Sequence, residues 1–393
     1  MNSSQFFQPP RLRVNRDSAS EDRHATWLEL FYDLVFVAAV SQLALKLSDE
    51  YSIVGLIRFA ALFVPIWWAW VGHTFYLTRF DSDDAAHRLM TLAQMIFVAS
   101  LAIHVPQGLE NHAAGFALSY VGVRAILIAQ YWRAGKYIPE AYPLTNRYAR
   151  GFAVSAALWL VSAFVPSPWR FVLWAIAMVI DILTPLGAGL MHAKIPPHFS
   201  HLPERFGLFT IIVLGESVVA TVQGAGKEGL EGASVVSALC GLIIAFALWW
   251  IYFNDVRAAE TREVKSSSDV VSYQMWLYTH LPLTMAIVAA AVGVKHILTL
   301  ESGEQLPAIE NWIFCASVAI AMECLRVIFL HTPNTFCGPR IRQNLRRHDI
   351  LAAMVLVCAP IGIWISSTLM MIAVAVLCVA QAAISLRPNA HEE

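Results

Sequence analysis

Long apolar stretches dominate this chain, and only short polar segments separate them. A helix needs about 20 apolar residues to cross a hydrocarbon layer of about 30 Å. The pattern predicts an all-α fold, a polytopic transmembrane helix bundle of about twelve spans. The predicted spans lie near residues 25–47, 52–78, 86–106, 113–133, 148–165, 169–191, 205–223, 233–254, 271–298, 310–330, 349–365 and 367–386. Only Ser366, Ser367 and Thr368 divide the last two stretches, so a single merged span is the alternative there.

Positive charges are unevenly distributed among the loops. With the N-terminus inside the cell, twenty of the 27 Lys and Arg residues fall on the cytoplasmic side, four fall on the other side, and three fall within spans. Lys and Arg accumulate in the cytoplasmic loops of membrane proteins. The sequence therefore predicts a multi-pass protein of the cell (inner) membrane with both termini in the cytoplasm.

The composition excludes several other classes of protein. Of 393 residues, 58% are hydrophobic and 14% are charged, and 27 basic residues are balanced by 28 acidic ones. Soluble globular domains are much less apolar, and without a basic excess we expect no nucleic-acid partner. The six cysteines have no spacing typical of a metal or redox motif. No phosphate-binding Gly-rich loop is present, which disfavours ATP-driven pumping by this chain alone.

The polar ends and a faint duplication predict the organisation of the chain. Residues 1–24 predict a flexible cytoplasmic N-terminal tail, and residues 387–393 predict a short C-terminal tail. We expect a first transmembrane half over residues 25–195 and a second over residues 196–386.

The duplication depends on matching positions in the two halves. Glu29 begins the first span as Glu204 begins the seventh, and Arg124 and Arg326 have similar apolar surroundings. Such matches predict parallel six-helix repeats, as in some secondary transporters. The alternative is that apolar helices align loosely without being true repeats.

Three blocks of sequence carry a resemblance to a known family. They are residues 24–37 (HATWLELFYDLVFV), 79–84 (RFDSDD) and 201–217 (HLPERFGLFTIIVLGES). Together they resemble the bacterial low temperature requirement A (LtrA) membrane-protein family, and the similarity extends over about residues 24–385. The resemblance implies a polytopic membrane protein associated by name with growth in the cold. It implies no particular substrate or reaction.

Glu216 is the first candidate for a functional group within the membrane. An ionisable side chain at that depth costs several kcal/mol unless it is paired or hydrated. Glu216 follows Glu204 by twelve residues, which places it about 18 Å further along the helix. The functional interpretation is a proton or cation site beside Gly215, where another backbone or a substrate can approach. The structural interpretation is a carboxylate paired with Arg124 or Arg326.

Two carboxylates share one face at the start of the first span. Glu29 and Asp33 are four residues apart, so both point in the same direction from the helix. Such a pair suits proton uptake or cation coordination. Equally, acidic residues in a first turn favourably face the helix dipole, and a nearby Arg can neutralise them. Glu204 presents the same two alternatives in the seventh span.

Helix-breaking residues mark two further candidates for ion or substrate binding. Asp181 precedes Pro185, Gly187 and Gly189, a composition that can expose backbone carbonyls to an ion. His280 precedes Pro282, which frees a carbonyl in the preceding turn. His280 is therefore either a proton relay or a polar contact between helices.

Remaining polar and aromatic patterns favour structural roles. Glu323 and Arg326, three residues apart, predict a self-neutralising ion pair that locks the bundle. His198 and His201, with Glu204, have a spacing that metal ligands use, but Pro196, Pro197 and Pro203 predict a loop in which they need not converge. The tryptophan-rich stretch around Trp67, Trp68 and Trp70 is more typical of an interfacial belt than of a ligand cavity.

Two classes of function agree with these features. The first is an ion- or proton-coupled transporter of a small solute, and the second is an intramembrane enzyme or sensor that uses His and Glu with a metal or a lipid-like cofactor. Interrupted spans and buried carboxylates favour the transporter, for which we expect no cofactor. Its partners would be membrane lipids and a small solute or ion, and the sequence leaves homo-oligomerisation open.

Overall fold

Helices make up most of the part of the chain that the structure describes. The computed structural model describes residues 8–13, 26–82, 84–189, 191–198, 201–228, 232–255, 267–301, 303–332 and 339–385. Within those ranges twelve helices have 18 residues or more, one at each predicted span. The predicted fold class, a polytopic helix bundle, is confirmed.

The long helices are numbered in chain order. They are α1 (Trp27–Asp49), α2 (Ile53–Leu77), α3 (Ala85–His104), α4 (Ala113–Tyr137), α5 (Tyr142–Ser162), α6 (Trp169–Leu186), α7 (His201–Glu228), α8 (Gly232–Asp255), α9 (Ser267–Leu298), α10 (Ala308–Leu330), α11 (Pro339–Ile361) and α12 (Ser367–Ser385). Shorter elements are the strands β1 (Arg11–Leu12) and β2 (Phe80–Asp81), the 3₁₀ turns Val105–Gln107 and Pro139–Ala141, and the helix Met191–Lys194.

Ten of the described helices are long and apolar enough to cross a membrane. The two that fall short are α5 and α11, at the predicted spans 148–165 and 349–365. Helix α5 carries Arg147 and Arg150 in its first half, and α11 carries Arg346 and Arg347. Each helix therefore has an apolar segment shorter than a full crossing. Helices α11 and α12 remain separate, because α11 ends at Ile361 and α12 begins at Ser367.

Outward-facing apolar stripes support a lipid environment. On α3 the side chains of Leu89, Ile96 and Ile103 are 62%, 62% and 71% exposed. Their spacing of seven residues puts them on one side of the helix. A continuous apolar stripe of this kind is unfavourable in water, whereas in a bilayer it faces lipid.

Two compact units divide the chain. The first comprises Met1–Leu43, Ala61–Arg205 and Thr261–Val271, and in it α3, α4, α5 and α6 pack in sequence order. The second comprises Ala44–Ala60, Phe206–Glu260 and Ser272–Glu393, and in it α8 packs against α12, α11 against α12, and α10 against α11. The predicted six-helix repeats stay a prediction.

A short ribbon fixes part of the N-terminal segment to the first unit. Strand β1 pairs with β2 in antiparallel register, with Arg11 opposite Asp81 and Leu12 opposite Phe80. Next to it, the Arg13 backbone N–H donates to the Arg79 carbonyl at 2.9 Å. Residues 8–13 of the predicted flexible tail are thus held in place. The rest of that tail and the predicted C-terminal tail lie outside the described residues.

Candidate functional site

A buried charge cluster forms where α1 meets the start of α7, entirely within the first unit. Asp33 is 3% exposed, and its Oδ1 accepts hydrogen bonds from Trp70 Nε1 at 2.8 Å and from Arg205 Nη2 at 2.7 Å. Arg205 has no exposed surface. The carboxylate and the guanidinium therefore neutralise each other away from solvent, which offsets the cost of burying either charge alone.

Glu29 extends this cluster by one helical turn. Its side chain is 4% exposed, and its Oε2 lies 2.9 Å from His201 Nε2 and 3.7 Å from Arg205 Nη1. Its Oε1 lies 3.4 Å from Arg13 Nη2. The spacing of Glu29 and Asp33 on α1 does place both carboxylates on one face. We call Glu29, Asp33, His201 and Arg205 the α1–α7 charge cluster.

A cavity of about 500 Å³ opens beside Glu29 at the end of the first unit where α1 begins. Small-molecule sites have volumes of about 300–1,000 Å³, so this one is large enough for a solute. Its wall combines charged, polar and aromatic side chains from α1, α2, α3 and the ribbon. They include Arg13, Glu29, His73, Asp81, Arg88 and Thr91, with Trp27, Phe31 and Phe80. We call it the α1–α3 cavity.

The connections on this same face of the first unit are held together by basic side chains. Arg79 is fully buried, donates from Nε to the Ile195 carbonyl at 3.0 Å, and lies with Nη2 3.0 Å from His192 Nδ1. His192 Nε2 lies 2.9 Å from the Pro185 carbonyl, so Nε2 donates and Nδ1 accepts from Arg79. Burial and the Arg79 charge lower the pKa of His192 to about 4. A neutral imidazole is therefore part of this structure at pH 7.

Asp84 caps α3 and joins α4 to the N-terminal segment. Its Oδ1 accepts from the His87 backbone N–H at 3.0 Å, and Arg133 donates to both carboxylate oxygens. Its Oδ2 also accepts from the Gln8 backbone N–H at 3.2 Å. Burial opposes ionisation, but the Arg133 guanidinium and these N–H groups outweigh it and lower the pKa of Asp84. The carboxylate stays charged and keeps the ribbon attached.

Asp181 forms a second buried ion pair in the first unit. Its Oδ2 lies 3.0 Å from Arg124 Nη2 and accepts from the Tyr120 hydroxyl at 2.6 Å. Asp181 and Arg124 have no exposed surface. The Arg124 guanidinium also lies 4.8 Å from the centre of the Tyr120 ring and 5.1 Å from that of Phe152. The ion pair that Arg124 makes is therefore with Asp181 on α6.

The backbone carbonyls at the end of α6 are occupied by protein donors. Arg147 Nε donates to the Thr184 carbonyl at 3.0 Å, and His192 donates to the Pro185 carbonyl. Helix α6 ends at Leu186, so Pro185 lies in its last turn. The Pro and Gly residues suggest that carbonyls here coordinate an ion, but these two carbonyls already accept hydrogen bonds from the protein.

Glu216 and His280 lie in the second unit. Glu216 on α7 is 8% exposed. A methyl group added at the neighbouring Gly215 would meet no atom within 4 Å. His280 Nδ1 lies 2.8 Å from the Trp276 carbonyl and its Nε2 lies 3.1 Å from the Tyr252 hydroxyl. His280 therefore joins α8 to α9 by donating to the backbone and accepting from Tyr252.

The remaining predicted residues have different surroundings. Arg326 Nε lies 2.7 Å from Glu323 Oε2 and 2.8 Å from Asp349 Oδ1, so this pair includes a third member on α11. Glu204 is half-buried. His201 points to Glu29, and the His198 backbone N–H donates to the Thr78 carbonyl at 2.9 Å. Among the described residues no three His, Cys, Asp or Glu side chains are grouped to hold a metal ion.

Several members of the site were not found from the sequence. Trp70 is fully buried and donates to Asp33, so it is not the interfacial belt residue that its neighbourhood predicts. Trp67 has no exposed surface either. The sequence does not distinguish Arg13 from the other basic residues of the polar tail, or Thr91 from the other polar residues of the spans. Arg205 gave one signal, its position next to Glu204 at the start of an apolar run.

The helices, their lipid-facing stripes and their buried ion pairs define a polytopic membrane protein. Comparison with known proteins gives its family. Residues 24–383 match the family described as bacterial low temperature requirement A protein (LtrA), and the chain belongs to that family. It is also similar to an uncharacterized protein of Rhizobium meliloti (strain 1021), with 30% identity over 292 residues, covering 71% of this chain and 70% of the relative.

Proposed function

We propose that this protein is an ion- or proton-coupled transporter of a small solute. The observation that carries the proposal is the α1–α7 charge cluster, in which two carboxylates lie buried in a membrane-spanning helix beside the α1–α3 cavity. Maintaining two carboxylates at such a place is costly. Residues of this kind mark ion pathways and proton relays in membrane proteins.

Proton coupling follows from the charge balance of the cluster. Three carboxylates, those of Glu29, Asp33 and Asp81, lie against the two guanidinium groups of Arg13 and Arg205. A proton that binds to Glu29 or Asp33 removes one negative charge from surroundings of low polarity. Because Arg13 contacts Glu29 and also lines the cavity, this change weakens the hold of Glu29 on Arg13. Proton binding is thereby coupled to the charge that a solute meets in the cavity.

We also propose that the cavity opens to the cytoplasm in the cell (inner) membrane. Segments that carry Arg or Lys meet at this face of the first unit: the ribbon, the α2–α3 connection, the end of α4 and, with Lys194, the segment after α6. The sequence assigns each of these segments to the cytoplasmic side by its positive charge. Their mutual hydrogen bonds agree with that assignment.

Reconstitution of the full chain into liposomes tests the transport function. An acid-inside pH gradient is imposed, a trapped pH-sensitive dye is followed, and sodium, potassium or n-propylguanidinium chloride is added in turn. We expect at least one of these salts to dissipate the gradient faster than in protein-free liposomes. Glu29→Gln and Asp33→Asn should abolish the effect at equal incorporation.

The matched control is Glu50→Gln, which removes an exposed ion pair with Arg58 in the second unit. This variant should transport like the unaltered protein. Retention of full gradient-coupled flux by Glu29→Gln contradicts the proposal, as does a lack of coupled flux for all three salts.

A further inference from the structure

One guanidinium lies between two carboxylates at the α1–α3 cavity. Arg13 Nη2 is 3.4 Å from Glu29 Oε1 and 3.8 Å from Asp81 Oδ1. Good charge-assisted hydrogen bonds between nitrogen and oxygen measure about 2.7–2.9 Å. Arg13 therefore contacts both acids without forming a close bond to either.

Arg13 follows the short strand β1. Strands β1 and β2 have two residues each, and ribbons of this size have little stability of their own. The segment is anchored at Gln8 through Arg133 and Asp84, and at Arg13 by the bond from its backbone N–H to the Arg79 carbonyl. The backbone of Arg13 is therefore fixed, whereas its side chain can turn away from the two carboxylates without breaking a helix.

One residue that lines the cavity has a buried hydroxyl group. Thr91 on α3 is 1% exposed and lines the cavity, and within the described part of the chain its Oγ1 has no hydrogen-bond partner. Buried hydroxyl groups are nearly always hydrogen-bonded. A solute that donates an N–H group from inside the cavity would satisfy Thr91.

We propose that the α1–α3 cavity binds a small organic cation, an alkylguanidinium or alkylammonium compound, in place of the Arg13 guanidinium. The cationic head lies between Glu29 and Asp81 and donates to Thr91. Its alkyl chain contacts the aromatic wall of Trp27, Phe31 and Phe80, which can also face the charge. This inference deepens the proposed function, because it takes the cavity as the substrate site of the transporter.

In this arrangement the Arg13 side chain competes with the ligand for the two carboxylates. A ligand binds only to molecules in which Arg13 has left, so its apparent affinity is reduced by the fraction in which Arg13 is bound. Removing the guanidinium should strengthen binding. That direction is informative, because damage to the fold weakens binding and cannot strengthen it.

Binding is measured on the purified full chain in detergent by a saturation-transfer NMR titration with n-propylguanidinium chloride. Sodium propionate and n-propanol are the anionic and neutral probes of matched size. We expect saturable binding of the cation only. Arg13→Gln should raise its affinity by roughly three- to tenfold, Asp81→Asn should lower it by roughly threefold or more, and Glu50→Gln should leave it unchanged.

Equal binding of propionate or propanol overturns the inference, and so does an Arg13→Gln affinity no higher than that of the unaltered protein. Cation binding with the expected variant pattern but without gradient-coupled flux supports this inference and contradicts the transport function. Coupled flux of a solute that n-propylguanidinium does not inhibit supports transport and overturns the cation site.

Discussion

Gly72 on α2 leaves the space that the Arg124 guanidinium of α4 fills. A methyl group at Gly72 would lie 2.9 Å from Arg124 Nη1 and 2.8 Å from Leu127 Cδ2. Arg124 is fixed at its other side by Asp181 and Tyr120. The absence of a side chain at Gly72 thus allows the buried ion pair between α4 and α6 to form.

The first prediction is that Gly72→Ala destabilises the protein, because the guanidinium has no room to retreat. Overpacking of a buried site costs about 1–3 kcal/mol. Gly215→Ala is the matched control, since its methyl group meets no atom within 4 Å and Ala favours a helix over Gly. Thermal unfolding in detergent should show a lower midpoint for Gly72→Ala and an equal or higher midpoint for Gly215→Ala. Equal midpoints for the two variants contradict the packing argument.

The second prediction concerns the ion pair between Asp33 and Arg205. Asp33→Asn keeps the shape of the side chain but leaves a buried guanidinium short of its closest carboxylate. Breaking a buried pair in this way costs about 3–5 kcal/mol. Glu50→Gln breaks an exposed pair, which is worth about 1 kcal/mol or less. We expect a large fall in the unfolding midpoint for Asp33→Asn alone, and similar midpoints for both variants would show that Arg205 is not dependent on Asp33.

The third prediction is a pH dependence from His192. Its pKa is about 4 in the folded protein, against an ordinary value of 6.5. Between these values the unfolded chain binds a proton that the folded protein does not, so the folded state loses stability as pH falls from 6.5 towards 4. The difference corresponds to about 3 kcal/mol. His192→Gln should show a smaller drop in unfolding midpoint between pH 7 and pH 4.5, and an unchanged drop would exclude His192 as the source.

The fourth prediction is that Glu216 has a functional role. Arg124 pairs with Asp181, and Arg326 pairs with Glu323 and Asp349, so Glu216→Gln leaves neither arginine without its carboxylate. We expect Glu216→Gln to unfold within a few degrees of the unaltered protein while gradient-coupled flux falls. Flux and growth in the cold equal to the unaltered protein, at equal membrane abundance, would remove Glu216 from the site.

The fifth prediction concerns membrane topology. Reporter fusions after Arg387 and within residues 257–268 should give cytoplasmic signals, whereas a fusion near Lys227 should give a signal from the other side. The reason is the strong bias of Lys and Arg among the loops. A C-terminal fusion that reports the outer side would contradict the predicted orientation.

The helices were largely predictable because each span is a local pattern. About 20 apolar residues in a row leave little alternative to a membrane helix. The span at 349–365 was harder to delimit, because α11 continues a charged first half directly into a short apolar second half. Helix α5 likewise begins within a polar segment. Its bounds differ from the predicted span 148–165, and it is not among the ten helices that are long and apolar enough to cross a membrane.

The partners in the site were not predictable, because contacts between helices are not local in sequence. Asp181 and Arg124 are 57 positions apart, whereas the sequence suggests a different candidate partner for Arg124, Glu216. The sequence predicts that Trp70 lies in an interfacial belt, because Trp and Tyr are enriched there in membrane proteins. Composition shows which side chains need a partner in the membrane, whereas only the packing of helices shows which partner each one obtains.

The long separation in sequence between buried partners also affects the synthesis of the protein. Asp33 and Arg205 are 172 positions apart, and ribosomes add about 5–20 residues per second, so Asp33 waits roughly 10–30 s for its partner. During that interval α1 carries two carboxyl groups without Arg205 or His201. Until Arg205 and His201 have been synthesised, these carboxyl groups would have to be protonated, or α1 would have to stay within the insertion machinery. Helix α1 is thus completed as a membrane segment only when α7 emerges.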